Sequence, residues 1–399
     1  YVMRVWCDFE MFTATSGGLP TSNQTEVYVT MPPRESKRMI HSLTHGTQVS
    51  TVFKNLAQLE VQQAEASVEE DRQHILQLIH TGPGYHKLNS VVAKHLQNWI
   101  VEEALQKCDD CVKAGGHNFT KKVALCRAVG GLCESIGRME DAGRLLQDGV
   151  ATLRHYHKIK TKTGANLLRS LASWQRHSNQ TEASLATLEE CKSISKAIHT
   201  YHSRKGGLLM RAIGQGKIAL KDYEGAKVAL EEAAALLKKA GKMNSGDGAF
   251  LHRDMGTLAR LMGDAKGAEK HFEAAHFIMK KHDMMRTPAA AVMLRQMGIL
   301  KHHQKDYENA VKLFMEAKAL LESMALMESV KGGSIWQSIG NSRLEQMQYE
   351  AAVEAYQHSL AGYVAAGDGH DASVALAKQN LARALRLQKE ARKDAKQSV

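Results

Sequence analysis

Five arginines recur at a constant interval of 42 residues, Arg127, Arg169, Arg211, Arg253 and Arg295, and Gln337 and Gln379 continue the series. Such a ladder suits carboxylate binding, because the planar guanidinium fork offers two parallel N–H donors to one carboxylate. Arg176, Arg260, His302 and Arg386 follow ladder positions by seven residues, two helical turns, and so fall near the same helix face. A plainer alternative stands beside this one. Each arginine can form a local ion pair with an acidic residue of a neighbouring helix, a pattern inherited by duplication and worth about 0–1 kcal/mol if exposed.

A second basic feature comprises Lys158, Lys160 and Lys162, Arg204 and Lys205, Lys238, Lys239 and Lys242, and Lys280, Lys281 and Arg286. These residues fall around the loops between units and are expected to line one edge, where an acidic protein, RNA or an anionic lipid can dock. A solvated edge that aids solubility is the alternative. RNA carries less weight, because the stacking aromatics of single-strand binders are sparse, at 6% of residues. The sequence has no GxxxxGK[ST] loop, no strand followed by GxGxxG and no GxSxG elbow, so neither an enzyme nor a cofactor is expected. Cys108-x-x-Cys111 with Cys126 and Cys133 matches no common zinc spacing, and the 20 histidines include no HExxH. No metal site is expected, and these cysteines are read as buried small residues.

The ladder belongs to a longer pattern. Small residues mark an origin at Gly130, Ala172, Gly214, Gly256, Gly298, Gly340 and Ala382, again 42 residues apart. Twelve residues later stands a small one (Ala142, Ser184, Ala226, Ala268, Ala310, Ala352), sixteen later a large one (Leu146, Leu188, Leu230, Phe272, Phe314, Tyr356), and nineteen later a small one again (Gly149, Cys191, Ala233, Ala275, Ala317, Ser359). Spacings of 3, 4 and 7 make one face of a 3.6-residue helix, so each unit is predicted to hold two helices. The small residues fit where the helices of a hairpin cross closely, and the large ones fill space between neighbouring hairpins. Such a unit cannot bury its apolar face alone and must stack on the next, which makes a solenoid.

Gly298, Tyr307, Ala310, Phe314 and Ala317, and likewise Gly214, Tyr223, Ala226, Leu230 and Ala233, resemble the motif of the tetratricopeptide repeat family. The 42-residue period exceeds that family's usual 34 and is similar to the long-repeat kinesin light chain type. The chain departs from the motif where Met139, Thr181 and Ala265 replace the tyrosine, and where the family's proline after the second helix is missing. The resemblance implies an all-α, right-handed superhelical solenoid of about seven hairpins with a C-terminal capping helix. It also implies that the arginine ladder lies on the first helix of each hairpin and points into a concave groove. The function implied is a non-catalytic scaffold or adaptor in a larger complex, holding acidic or extended partner segments there.

Composition agrees with a folded chain: 399 residues, 43% hydrophobic and 24% charged, with four of five prolines before residue 84. A net charge of +11 favours acidic proteins, RNA or anionic surfaces as partners, or simply a basic organellar protein. No apolar run reaches the roughly 18 to 20 residues that a spanning helix needs, so no transmembrane segment is expected. Six irregularly spaced cysteines suit a reducing interior, cytoplasmic or organellar, and the start at Tyr1 suits a processed mitochondrial form or a trimmed sequence. The expected division is an irregular extension over 1–50, a helical segment and linker over 51–84, and the solenoid over 85–399, ending in a charged helix over Ala382 to Lys396.

Overall fold

The structure, a computed structural model, describes residues 68–81, 84, 85, 88, 89, 98–106, 108, 109, 119–135, 138–324, 326–366 and 371–397. The extension over 1–50, residues 51–67, Gly82-Pro83 and most of the weak first repeat lie outside the described residues. The chain forms two units, residues 1–159 and 160–399. The first holds α1 (Glu69–Thr81) and the hairpin of α2 (Phe119–Ser135) and α3 (Met139–His155). The second holds α4 (Lys162–His177), α5 (Thr181–Ala197), α6 (Arg204–Ala219), α7 (Tyr223–Lys239), α8 (Gly246–Leu261), α9 (Ala265–Lys281), α10 (Pro288–His303), α11 (Tyr307–Ser323), α12 (Val330–Glu345), α13 (Tyr349–Ala365) and α14 (Asp371–Gln397). It is an all-helical repeat solenoid, five hairpins and a terminal helix, in the register that the 42-residue period predicts.

Side-chain caps mark where seven of the described helices begin. The side-chain oxygens of Thr161, Ser203, Thr287 and Ser329 accept hydrogen bonds from backbone N–H groups three residues on, at 3.2 to 3.5 Å. They open α4, α6, α10 and α12 and satisfy donors that a helix start leaves unpaired. Asp222, Asp264 and Asp306 do the same for α7, α9 and α11. Inside the hairpins the chain reverses through a left-handed residue at Asn179, Lys221, Gly263, Lys305 and Met347, with φ between 58° and 85°. Four of these five are not glycine, so backbone strain is accepted in return for a tight turn whose amides bond back to the last helical carbonyls.

The origin glycines are where the two helices of a hairpin touch. A Cβ on Gly214 would meet Leu230 at 2.6 Å, and one on Gly256 or Gly340 would meet the ring of Phe272 or Tyr356 at 2.7 Å. The large residue therefore sits first on the glycine of its own hairpin. It then reaches the next helix: Phe272 packs with Leu300 and Met297, and Tyr356 with Leu381 and Ala384. Through Ala384, Leu381 and Leu387, α14 covers the end of the last hairpin, with its other faces charged.

Successive first helices also touch one another, α6 with α8, α8 with α10 and α10 with α12, more than the second helices do. The first helices thus form the closer-packed layer of the second unit. No described helix is long and apolar enough to cross a membrane.

Candidate partner-binding face

Charge divides between the layers of the second unit. The five first helices α4, α6, α8, α10 and α12 carry thirteen Lys and Arg, with only Asp247, Asp254 and Glu345 as acids, whereas the second helices α5, α7, α9, α11 and α13 are nearly balanced. Arg169, Arg211, Arg253 and Arg295 stand mid-helix on four first helices, each half-buried. Arg127 occupies the same place on α2 in the first unit, also half-buried.

The residue 43 positions later, one helix on, contacts two of the ladder arginines, Arg211 and Arg295. Arg169 makes no hydrogen bond or ion pair among the described residues, and the residue 43 positions on from it is Ala212. Arg211 lies 3.2 Å by Nε from Oδ2 of Asp254, too poorly aligned for that N–H to form a hydrogen bond. Arg253 turns to its own neighbour and donates from Nε and Nη2 to Oδ1 of Asp254 at 3.0 and 2.7 Å. Arg295 donates from Nε to the Ser334 carbonyl and the Ser338 hydroxyl, both at 3.0 Å. Local ion pairing thus accounts for Arg211 and Arg253, and not for Arg169 or Arg295. Burial pushes the guanidinium pKa of Arg169, Arg211, Arg260 and Arg295 below the ordinary arginine value, since each charge has lost water without gaining a full anionic shell.

The residues seven positions on stand beside this face. Arg176 donates to Gln215 Oε1 at 2.5 Å, and Gln215 donates in turn to Asp254 at 2.6 Å. Arg260 keeps a buried Nε with no hydrogen-bond partner. His302 Nδ1 shares a hydrogen bond of 2.9 Å with the Ser342 hydroxyl, and burial lowers its pKa. Arg386, on α14, lies 3.8 Å from Glu390 at the surface. A cavity of about 560 Å³ opens among Arg295, His302, His303, Gln337, Asn341 and Glu345, and Leu376 of α14 also lines it.

The basic edge is distributed differently. Lys238 and Lys239 end α7, and Lys280 and Lys281 end α9, all exposed at helix C-termini where cations offset the helix dipole. Arg286, Lys160 and Lys162 are exposed near first-helix starts, whereas Lys158 belongs to the first unit. Arg204 is engaged with Asp247, through Nε and through Nη2 at 3.0 Å.

Sequence reading missed Asp254, Gln215 and Phe250, whose ring lies 5.5 and 5.6 Å from the guanidinium carbons of Arg211 and Arg253. A signal was present for Asp254. Its column reads Ala128, Ser170, Ala212, Asp254, Gln296, Ser338 and Asn380, and carries a charge only once.

Among solved structures, the apo form of RapI matches with a TM-score of 0.53 at 14% identity, over 75% of this chain and 98% of that one. The chain has a tetratricopeptide-like repeat fold. BtubC (BKLC) from P. vanneervenii matches at 0.47 and 16% identity, over 56% of this chain and 91% of that one. A tetratricopeptide repeat protein from Parabacteroides merdae ATCC 43184 matches at 0.46 and 14%, over 71% and 98%. No protein-family model matches the sequence, and no curated protein matches it. In this tetratricopeptide-like array the four ladder positions of the second unit lie on one layer, that of the first helices.

Proposed function

We propose that the protein is a non-catalytic interaction scaffold, a subunit or assembly factor of a larger complex, whose first-helix layer holds acidic, extended segments of partner proteins. The charge asymmetry between the layers carries this reading. Thirteen basic residues against three acids on one layer, with half-buried guanidiniums at Arg169 and Arg295 that no carboxylate satisfies, make a surface for which an outside anion supplies the missing partners. Arg176, Arg211, Arg253, Arg260 and His302 extend the surface along the helices, and the cavity beside Arg295 is large enough for two or three side chains of a bound segment. The four described cysteines that are free and buried suit an intracellular setting.

Photo-crosslinking tests the placement. With a crosslinker in place of Ile299 or Asn341 on first helices, an acidic extended peptide is expected to be trapped. With the same group in place of Val228 or Phe277 on second helices, it is not. Equal trapping on both layers overturns the placement. Capture of single-stranded RNA instead, along Lys238, Lys239, Lys280 and Lys281, would replace the reading with nucleic-acid binding.

A further inference from the structure

We propose that Asp254 is a built-in competitor of the partner's carboxylates, an internal anion that occupies the middle of the arginine ladder and holds the affinity of the face down. This rests on the reading of the first-helix layer as an acidic-segment site. Asp254 lies mid-way along α8 with its side chain 7% exposed, and it is the only buried charged acid among the described residues. Every group turned to it is a donor: Arg253 through two nitrogens, Arg211 at ion-pair distance and Gln215 at 2.6 Å. Arg176 stands behind Gln215 and adds a third cation to the cluster.

The cluster therefore holds three guanidiniums and one carboxylate. Phe250 fixes two of the guanidiniums against its ring, so they are already ordered for a planar anion. What Asp254 does for Arg211 and Arg253 is what a glutamate or aspartate of a bound segment does at an unfilled rung. At the equivalent position the next rung but one carries Ser338, a neutral acceptor that orients Arg295 through Nε without neutralising it. The face thus has open rungs at Arg169 and Arg295 and two between them, Arg211 and Arg253, that Asp254 occupies. A partner segment engages the outer rungs fully, and gains the middle only by displacing or sharing Asp254.

The test uses the full chain and a fluorescein-labelled glutamate-rich peptide, with affinity read by polarisation at two salt concentrations. Asp254→Asn removes the charge and keeps the shape; Asp254→Ser copies the residue that serves Arg295. Both are expected to bind about tenfold tighter than the wild type and with a steeper salt dependence. The gain is expected to vanish when Arg211→Gln and Arg253→Gln are added. Melting curves on the same samples establish that each variant is folded, and Asp254→Ser serves where Asp254→Asn is not. If the folded variants bind with unchanged or weaker affinity while the wild type binds, the competitor role is wrong and the face reading stands. If neither wild type nor variants bind the peptide, both are overturned.

Discussion

Gly298→Ala and Gly216→Ala place the same methyl group in two first helices of the second unit, and the packing predicts opposite signs. Both changes gain helix propensity, about 1 kcal/mol for glycine to alanine in a helix interior. At Gly216 the new Cβ meets Leu185 at 3.5 Å, an ordinary contact, so most of that gain should appear as stability. At Gly298 it would overlap the edge of the Phe314 ring, which is 1% exposed and wedged among Met293, Leu294 and Ile335. Overpacking of this kind costs roughly 1–3 kcal/mol. Net destabilisation of about 1 kcal/mol is expected for Gly298→Ala, and the two variants should differ by about 2 kcal/mol. Urea denaturation followed by far-ultraviolet circular dichroism measures the difference, with native-state hydrogen exchange to assign the loss to α10 and α11. Adding Phe314→Leu should recover part of it, because Ala172 and Leu188 form that pair in the first hairpin of the second unit. Equal effects at the two glycines, or no rescue by leucine, would refute the account of the helix crossing.

The facing histidines of α8 and α9, His252 and His271, share a hydrogen bond between their Nδ1 atoms at 3.1 Å, and burial lowers both pKa values below the ordinary 6.5. The unfolded chain therefore binds protons first as pH falls through 6.5, so stability present above that pH should decline below it. His252→Gln should flatten the melting temperature between pH 7 and 5.5. Ser338→Ala takes one of two acceptors from the Arg295 Nε and should cost about 1–2 kcal/mol, measured by denaturant titration. Ending the chain after residue 370 removes α14 and uncovers Leu344, Val353 and Tyr356, so binding of a hydrophobic dye should rise. The same truncation should bring the Tyr356 phenol, pushed up by burial to about 12, back toward 10 in a spectrophotometric titration.

The columns of small and large residues made the hairpins legible because a close crossing admits so few side chains: Gly256 against Phe272 and Gly340 against Tyr356 leave no space for a Cβ. The N-cap positions were equally periodic, at Thr161, Ser203, Ser245, Thr287 and Ser329, all but Ser245 capping with the side chain, and could have been read in the same way. The arginine ladder was visible by spacing alone. Its energetics were not, since they depend on contacts across a helix interface for Arg211 and Arg295, and on the adjacent Asp254 for Arg253, which no periodicity specifies. Arg211 finds a carboxylate on the next first helix and Arg295 a hydroxyl, whereas Arg169 makes no such contact among the described residues. One consequence is that charge reversal at Arg211 or Arg253 would set new acids against buried Asp254, so neutral glutamine is the informative replacement.

The most direct test of the central claim compares the full-length wild type with an Arg169→Gln, Arg295→Gln double variant, which leaves the Asp254 cluster intact. Affinity for a glutamate-rich extended peptide, and for a peptide with glutamine at every glutamate, is measured by titration calorimetry in low and moderate salt. The account predicts salt-sensitive binding of the acidic peptide alone, weakened at least tenfold in the variant, with melting curves establishing that the variant is folded at the temperature of the titration. Equal affinity of the two proteins, or equal binding of the neutral peptide, would contradict it.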